Sequence, residues 1–558
     1  MAQASKRPES AGPSSEALET SEVRACAWEG TIGLCLSGGG YRAAAFHLGA
    51  LAYLNHRGLL DRVRALSTVS GGSVVGAAWL LSRVRGEPFE DFLRRFAAEL
   101  EATDCGALAI DRFAGRPREA RRPSLARMLA DVYAERFFSA ADGEGPDRFR
   151  TILEADSSTV PQEIAINATE FDEAYGFRFV RTETDALCGS YNRKLDREQV
   201  GDCRVADIVA ASCCFPGALE PLVFPEDFVH TGSKKVQDSV TPACLMDGGI
   251  YDNQGIAALM DTQKRLGQAG TPLDVVIVSD TDRPPHNVFQ PRPWRGGPNW
   301  FPLYEWAAVL FGVLVVLALG AAAVVGRLVE HGQAADLLHY VAMVLLVGTT
   351  GTVAGAAWLR HRLRQTLSSS LPNLVDPIER ALWSLSPRAL YHLARARLES
   401  VLALTNWVFT ARIRRLGYQL VYATADDASA ANALARAWRV SNLIYSLRSR
   451  HQGDPLVLVR SAERRNENLV QLDFEEPSRE LQTTVDAAHD APTTLWFDVA
   501  HAGLCRTLVT AGMAAMCFNL GKHLHQVRKD TGTDHGALLA SVRDDWRRLN
   551  RGQLGPDL

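Results

Sequence analysis

Two glycine-rich junctions constrain this chain more than anything else in it. Ser37-Gly38-Gly39-Gly40-Tyr41-Arg42 follows the short apolar run Ile32–Leu36, and Ser70-Gly71-Gly72-Ser73 follows Ala65–Val69. Behind each comes a stretch whose apolar residues suit a helix, Ala43–Leu54 and Val74–Val84. Buried strand, small-residue turn and helix, repeated in that order, predict an α/β sheet. The alternation continues: Glu163–Ala168, Phe177–Arg181, Leu245–Asp247 and Asp274–Ser279 read as strands or strand ends, and Val205–Ala211 as a short helix. The polar, Arg-rich stretch Asp104–Pro123 reads as a surface excursion.

Three glycines in a row leave no side chain to block a substrate oxygen. The backbone N–H groups of Gly38, Gly39 and Gly40 lie just before a helix start, in a nest suited to an anion. The second junction sets a serine between strand and helix, where a hydroxyl can be exposed. A third motif, Asp247-Gly248-Gly249, puts a carboxylate at a strand end, where sites in open α/β sheets gather. Together they describe an oxyanion hole, a nucleophile and a base for acyl transfer. Asp252 is the alternative base, and Asp-Gly is also ordinary turn chemistry. Gly38, Gly40 and Ala43 satisfy the dinucleotide fingerprint G-x-G-x-x-A as well. That fold wants an acidic residue closing its second strand, and here the strand runs into Ser70, which argues against a nucleotide. His47, in the helix after the glycines, reads as a packed or surface histidine and not as a triad member.

The order of these motifs resembles the patatin-like phospholipases from about Ile32 to Asp280. Asn167-Ala168-Thr169-Glu170 and Ala211-Ser212-Cys213-Cys214-Phe215-Pro216-Gly217 share the resemblance. It implies a doubly wound, mainly parallel sheet with helices on both faces. It also implies a serine acyl hydrolase with a Ser–Asp dyad, no metal and no cofactor. The family's G-x-S-x-G pattern, laid on Gly71-Gly72-Ser73-Val74-Val75, names Ser73 as the nucleophile, with Val75 at the closing glycine position and Gly76 one residue later. Ser70, which lacks a glycine two places before it, and Ser67 are the competitors. Asp247 is then the base, Gly38, Gly39 and Gly40 the oxyanion donors, and Arg42 a structural or substrate-binding cation. Val75 is the best support for a rival reading, a non-catalytic membrane scaffold or signalling protein on the same fold.

After Asp280 the composition changes. Residues 284–305 form a Pro/Gly/Arg-rich linker. Trp306–Val325 then carries no charged residue, and Leu337–Leu359 carries none beyond a possible charge on His339. As helices each would be about 30 Å or slightly longer, the thickness of a bilayer core. A two-helix transmembrane hairpin over 306–359 is expected. Arg292 and Arg295 precede it, and Arg360, Arg362 and Arg364 follow; the connection Gly326–Asp336 sets Arg327 against Glu330 and Asp336. Positive-inside therefore places the catalytic motifs and both termini in the cytoplasm. A lipid substrate and the bilayer are the expected partners.

Residues 1–28 read as a disordered tail without the apolar core of a signal peptide. Residues 29–283 read as the catalytic domain. Residues 360–558 are helical and read as completing it, because Asn406–Gly417, with Arg412, Arg414 and Arg415, resembles the basic helix of bacterial family members. Thr493–Gly512 resembles their closing helices more faintly, and a separate C-terminal domain is the rival. The formal charge of −4 over 558 residues, with no basic block, leaves a nucleic-acid partner no electrostatic footprint. Ten scattered cysteines without a C-x-x-C pair suit a reduced compartment and no metal site. Composition leaves the oligomeric state open.

Overall fold

The computed structural model describes residues 28–115, 122–139, 147–183, 187–230, 241–284, 384–422, 437–495, 497, 502–532 and 535–558, with isolated residues between 289 and 380. The chain divides into two compact units, one of Met1–His286 with Thr405–Leu558 and the other of Asn287–Leu404.

The first unit is built on one sheet, ten-stranded among the described residues. Its strands are β1 (Ile32–Leu36), β2 (Val63–Val69), β3 (Glu163–Glu170), β4 (Tyr175–Arg181), β5 (Cys188–Gly189), β6 (Lys194–Leu195), β7 (Leu222–Phe224), β8 (Ala243–Asp247), β9 (Val275–Asp280) and β10 (Trp438–Leu443). They lie in the order β10-β9-β1-β2-β3-β4-β5-β6, and β8 pairs with β3 and β7. From β10 to β3 the neighbours run parallel. Beyond β3, and around β8, they run antiparallel.

Both faces of the parallel half are covered, which is why its strands read as nearly continuous apolar runs. In β1, Ile32, Leu34 and Leu36 enter one core layer, while Cys35 enters the other. The first layer holds helices α1 (Gly40–His56) and α2 (Gly71–Val84), together with α3 (Val205–Ser212). A short turn of helix, α4 (Gly249–Asp252), follows β8. The second layer is closed by α5 (Ile256–Gln268), through Ile256, Leu259 and Leu266, and by α6 (Thr410–Tyr422), through Val421 and Tyr418.

The first layer also holds α7 (Leu504–Thr531), which crosses α1 in backbone contact. A methyl group built on Gly49 would stand 2.0 Å from the Val509 carbonyl oxygen, and one on Gly512 2.1 Å from that of Phe46. By length and composition α7 is apolar enough to cross a membrane, yet its most apolar window is 78% buried inside the unit. It is a core helix.

The structure refines two expectations. The stretch after Asp104, expected as a surface excursion, holds a mostly exposed helix, Cys105–Gly115, that buries Cys105 and Ala109. The sheet is mixed, since β4 to β8 add an antiparallel flank to the parallel half. The N-terminal tail, most of the proline-rich linker and most of both apolar runs lie outside the described residues. Those of the first run that are described, among them Val309, Val313, Val316, Leu317 and Val324, are helical and exposed.

One detail of the sheet positions the site. β2 runs alongside β3 as far as Val69, which lies opposite Asn167. The next residue of β3, Ala168, pairs instead with Asp247 of β8, which arrives from the opposite direction. The end of β2 and the end of β8 therefore meet head-on over the same edge of β3.

Candidate active site

The residue at the tip of β2 is Ser70, and its backbone is strained. It has φ 51° and ψ −122°, one of the few positive-φ conformations held by a non-glycine residue here. Such a turn between strand and helix stores strain to hold a side chain out of both elements. Across the head-on junction the Ser70 hydroxyl faces the Asp247 carboxylate closely enough to favour its charged form. The Ser70 amide is anchored by the Ser212 hydroxyl at 2.8 Å, and Ser212 in turn donates to the Asn167 carbonyl at 2.6 Å. The turn is thus tied to β3 and α3 together.

Asp247 is buried, and burial pushes its carboxyl up to about 6. The Gly249 amide, donating to Oδ1 at 2.6 Å, the Ser70 hydroxyl and the more distant Arg414 charge each act against that rise. A carboxylate held near neutrality is suited to accept and return a proton. Asp252 has other work: its Oδ2 accepts from the Ala257 amide at 2.6 Å and caps α5.

Ser73 does not meet Asp247. It lies one turn into α2, fully buried, with its hydroxyl 3.0 Å from Thr68 Oγ1 and 2.9 Å from Ser212 Oγ. The structure therefore does not bring Ser73, the expected nucleophile, together with Asp247; the serine it sets at the strand end beside Asp247 is Ser70. The reason lies in which glycine does which job. A methyl group on Gly71 would stand 2.0 Å from the Gly40 oxygen, and one on Gly72 2.3 Å from the Leu36 oxygen. The close passes that a serine elbow requires fall one and two residues after Ser70. Thr68 occupies the place two before it where the motif has glycine, and that substitution hid the match. The glycine at the second following position, Gly72, was the signal available in the sequence.

The glycine loop packs against this elbow: a methyl group on Gly38 would lie 3.2 Å from Ser70 Cβ. The three glycines are not equivalent. Gly38 N–H bonds to Asn253, with the carbonyl oxygen at 2.9 Å and Oδ1 at 3.1 Å. Gly39 (φ 148°) and Gly40 (φ 61°) adopt conformations that favour glycine, and among the described residues their amides meet no acceptor. Arg42 sits in the structural one of the two roles expected of it. Its guanidinium is buried, lowered to about 10 mainly by that burial, and spends two donors on the carbonyls of Ala491 (3.0 Å) and Thr281 (2.9 Å). It fastens the loop to the chain. His47 is a core residue, held between Ser279 Oγ (2.9 Å) and the Ser37 carbonyl (3.0 Å), and burial lowers it to about 3.

Two contributors went unassigned in the sequence. Arg414, from α6, donates to the Gly38 carbonyl at 3.2 Å while pairing with Asp280 and Asp282. Thr281 Oγ1 and Ser37 Oγ reach the same carbonyl, each at 3.2 Å. That carbonyl shares a peptide plane with the Gly39 N–H, so holding one aims the other. The second contributor is Thr494, whose carbonyl accepts from Tyr41 N–H at 2.8 Å and lies 2.2 Å from where a Gly40 side chain would begin. Both arrive from more than 350 residues along the chain.

No group of three or more His, Cys, Asp or Glu among the described residues has metal-binding geometry. Nine described cysteines are free thiols.

Residues 34–260 match the sequence model of the family described as patatin-like phospholipase. No curated protein matches the chain significantly. Among solved structures, human GIVD cytosolic phospholipase A2 is similar over 45% of this chain and 43% of its own, at 14% identity and a TM-score of 0.29. The chain thus spans less than half the length of that protein. VipD from Legionella pneumophila is similar over 95% and 82%, at 11% identity and a TM-score of 0.25. ExoU of Pseudomonas aeruginosa, solved with SpcU, gives 93% and 90% coverage, 13% identity and a TM-score of 0.18. At such scores the structural likenesses add nothing to the family match.

Proposed function

The chain belongs to the patatin-like phospholipase family through residues 34–260, and from that premise we propose that it is a membrane-anchored lipid acyl hydrolase working with Ser70 and Asp247. The observation that carries the assignment is the strained Ser70 elbow meeting Asp247 at the junction of β2 and β8. Asp247 takes the Ser70 proton as Oγ adds to the ester carbonyl. The Gly39 and Gly40 amides receive the oxyanion, with the N-terminus of α2 adding its dipole. Asp247 returns the proton to the departing alcohol, and the acyl group remains on Ser70. A water molecule, deprotonated by the same carboxylate, then releases the fatty acid. Carboxylic esters of phospholipids or lysophospholipids are the substrate class.

The membrane part of the reading rests on two apolar runs without Asp, Glu, Lys or Arg and on their flanking arginines. The helical, exposed valines of the first run support it. With the arginine-rich flanks inside, the acyl-hydrolase unit and both termini face the cytoplasm. The scaffold reading loses its main support, because Val75 is not the elbow's closing residue; Gly72 is.

Fluorophosphonate labelling followed by peptide mapping tests the nucleophile. The adduct should sit on Ser70, vanish in Ser70→Ala and persist in Ser73→Ala. An adduct on Ser73, or none on the folded protein, would overturn the assignment.

A further inference from the structure

Helix α6 has two faces with different chemistry. Ala411, Arg414 and Val421 turn inward, three and seven residues apart, and Arg414 reaches the glycine loop. The opposite face exposes Leu416 and Leu420 beside Arg412 and Arg415. The helical stretch Leu404–Phe409 leads into it and exposes Trp407, Val408 and Phe409, the last of them 51% accessible. Large apolar side chains held out in this density mark a binding surface.

Charge selects the occupant. From Leu404 to Tyr422 there is no Asp or Glu, while three arginines are present, two of them on the outer face. Aromatic and aliphatic side chains mixed with cations on one face suit the headgroup region of a bilayer, where rings sit at the boundary and guanidiniums meet phosphate. A protein partner of ordinary composition would leave that excess of positive charge unmatched. The face also lies at the correct end of the sheet. α6 packs on α4, directly after Asp247, and through Arg414 it touches the loop beside Ser70.

We propose that the outer face of α6, with Trp407–Phe409, docks on an anionic bilayer surface and sets the mouth of the site against the lipid. This surface serves the acyl-hydrolase function proposed above, but lipid contact can be read without turnover.

An environment-sensitive fluorophore on Val408→Cys, in the full-length protein reconstituted in vesicles, tests the docking. Wild-type protein treated identically supplies the background. In phosphatidylcholine vesicles containing phosphatidylglycerol, doxyl-labelled lipid should quench the probe. Adding Arg412→Gln and Arg415→Gln, both at exposed positions, should lower the docked fraction by about tenfold or more, given the attraction of each cation to an anionic surface. Quenching that ignores both phosphatidylglycerol and the two arginines would overturn the proposal. So would a probe untouched by doxyl lipid yet shielded from aqueous iodide, which would place a second copy of the chain on this face. A lipid-quenched probe on a protein without esterase activity would uphold the docking and sink the hydrolase reading instead.

Discussion

Ser70 and Ser73 lie three residues apart, and what separates them is backbone geometry. Only Ser70 adopts the positive φ that lifts a hydroxyl out of strand and helix alike. Ser70→Ala is expected to abolish esterase turnover. Ser73→Ala should keep most of it while losing about 1–2 kcal/mol of stability, because its buried hydroxyl supports Thr68 and Ser212; denaturant titration beside an ester assay separates the two effects. Asp247 gives a pH signature. With its carboxyl raised to about 6, kcat/KM should fall as pH drops through that value and the base is protonated. The stability sign is opposite. A carboxyl whose folded pKa is raised adds stability below its unfolded pKa and loses it as pH rises through the folded one. Asp247→Asn should therefore stabilise the fold at pH 8, by about 3 kcal/mol or less, and leave stability nearly unchanged at pH 4. A Tm at pH 8 equal to or below wild type would show that burial of the charge is not costly. Arg414 acts at one remove, by aiming the Gly38–Gly39 peptide. Arg414→Lys keeps a charge for Asp280 and Asp282 but loses the planar fork. It should lower kcat by about tenfold or more with KM little changed, whereas a purely structural role would appear in Tm alone.

Helices α1 and α7 show the same logic at the level of elements. Helix α7 passes a length-and-hydropathy test for a membrane span, yet it packs in the core because Gly49 and Gly512 let two backbones touch. No side chain can replace either without moving a helix. Gly512→Val is expected to destabilise the fold by about 3 kcal/mol or more, as overpacking of a close contact does. Thermal unfolding should show it, and a Tm within error of wild type would mean that the crossing is looser than its geometry. The glycine loop depends on this region as well, since Arg42 and Tyr41 bond to carbonyls in the segment just before α7.

Across the whole molecule, the sheet is completed by residues separated by the second unit. β10 pairs with β9, and α6 and α7 cover opposite faces, all from beyond Thr405. Ending the chain at His286 would expose the β9 edge and strip helices from both faces. Such a fragment is expected to be insoluble and inactive. Replacing residues 287–404 with a flexible linker should leave a folded enzyme that hydrolyses a soluble short-chain ester but works poorly on vesicles, where tethering raises effective concentration. A soluble, active fragment ending at His286 would refute this dependence.

The sequence by itself determined the local elements. Short apolar runs, glycine junctions and helical periodicity marked β1, β2, α1 and α2 within a few residues, because strand and helix periods are written in neighbouring side chains. The strand-end place of Asp247, the proposed base, was legible for the same reason: a carboxylate between an apolar strand and two glycines stands at a strand end, where such sheets gather their chemistry. Which serine it meets was not legible. That choice depends on β2 and β8 ending against one another along β3, on Ser70 holding a strained turn, and on glycines making room for backbones from other strands. Likewise Gly38, alike in sequence to its two neighbours, is taken by Asn253, and Arg42 by two carbonyls, through contacts more than 200 residues apart. Periodicity is a property of neighbours along the chain. The direction of an N–H or a hydroxyl is fixed by partners that only the folded chain brings near.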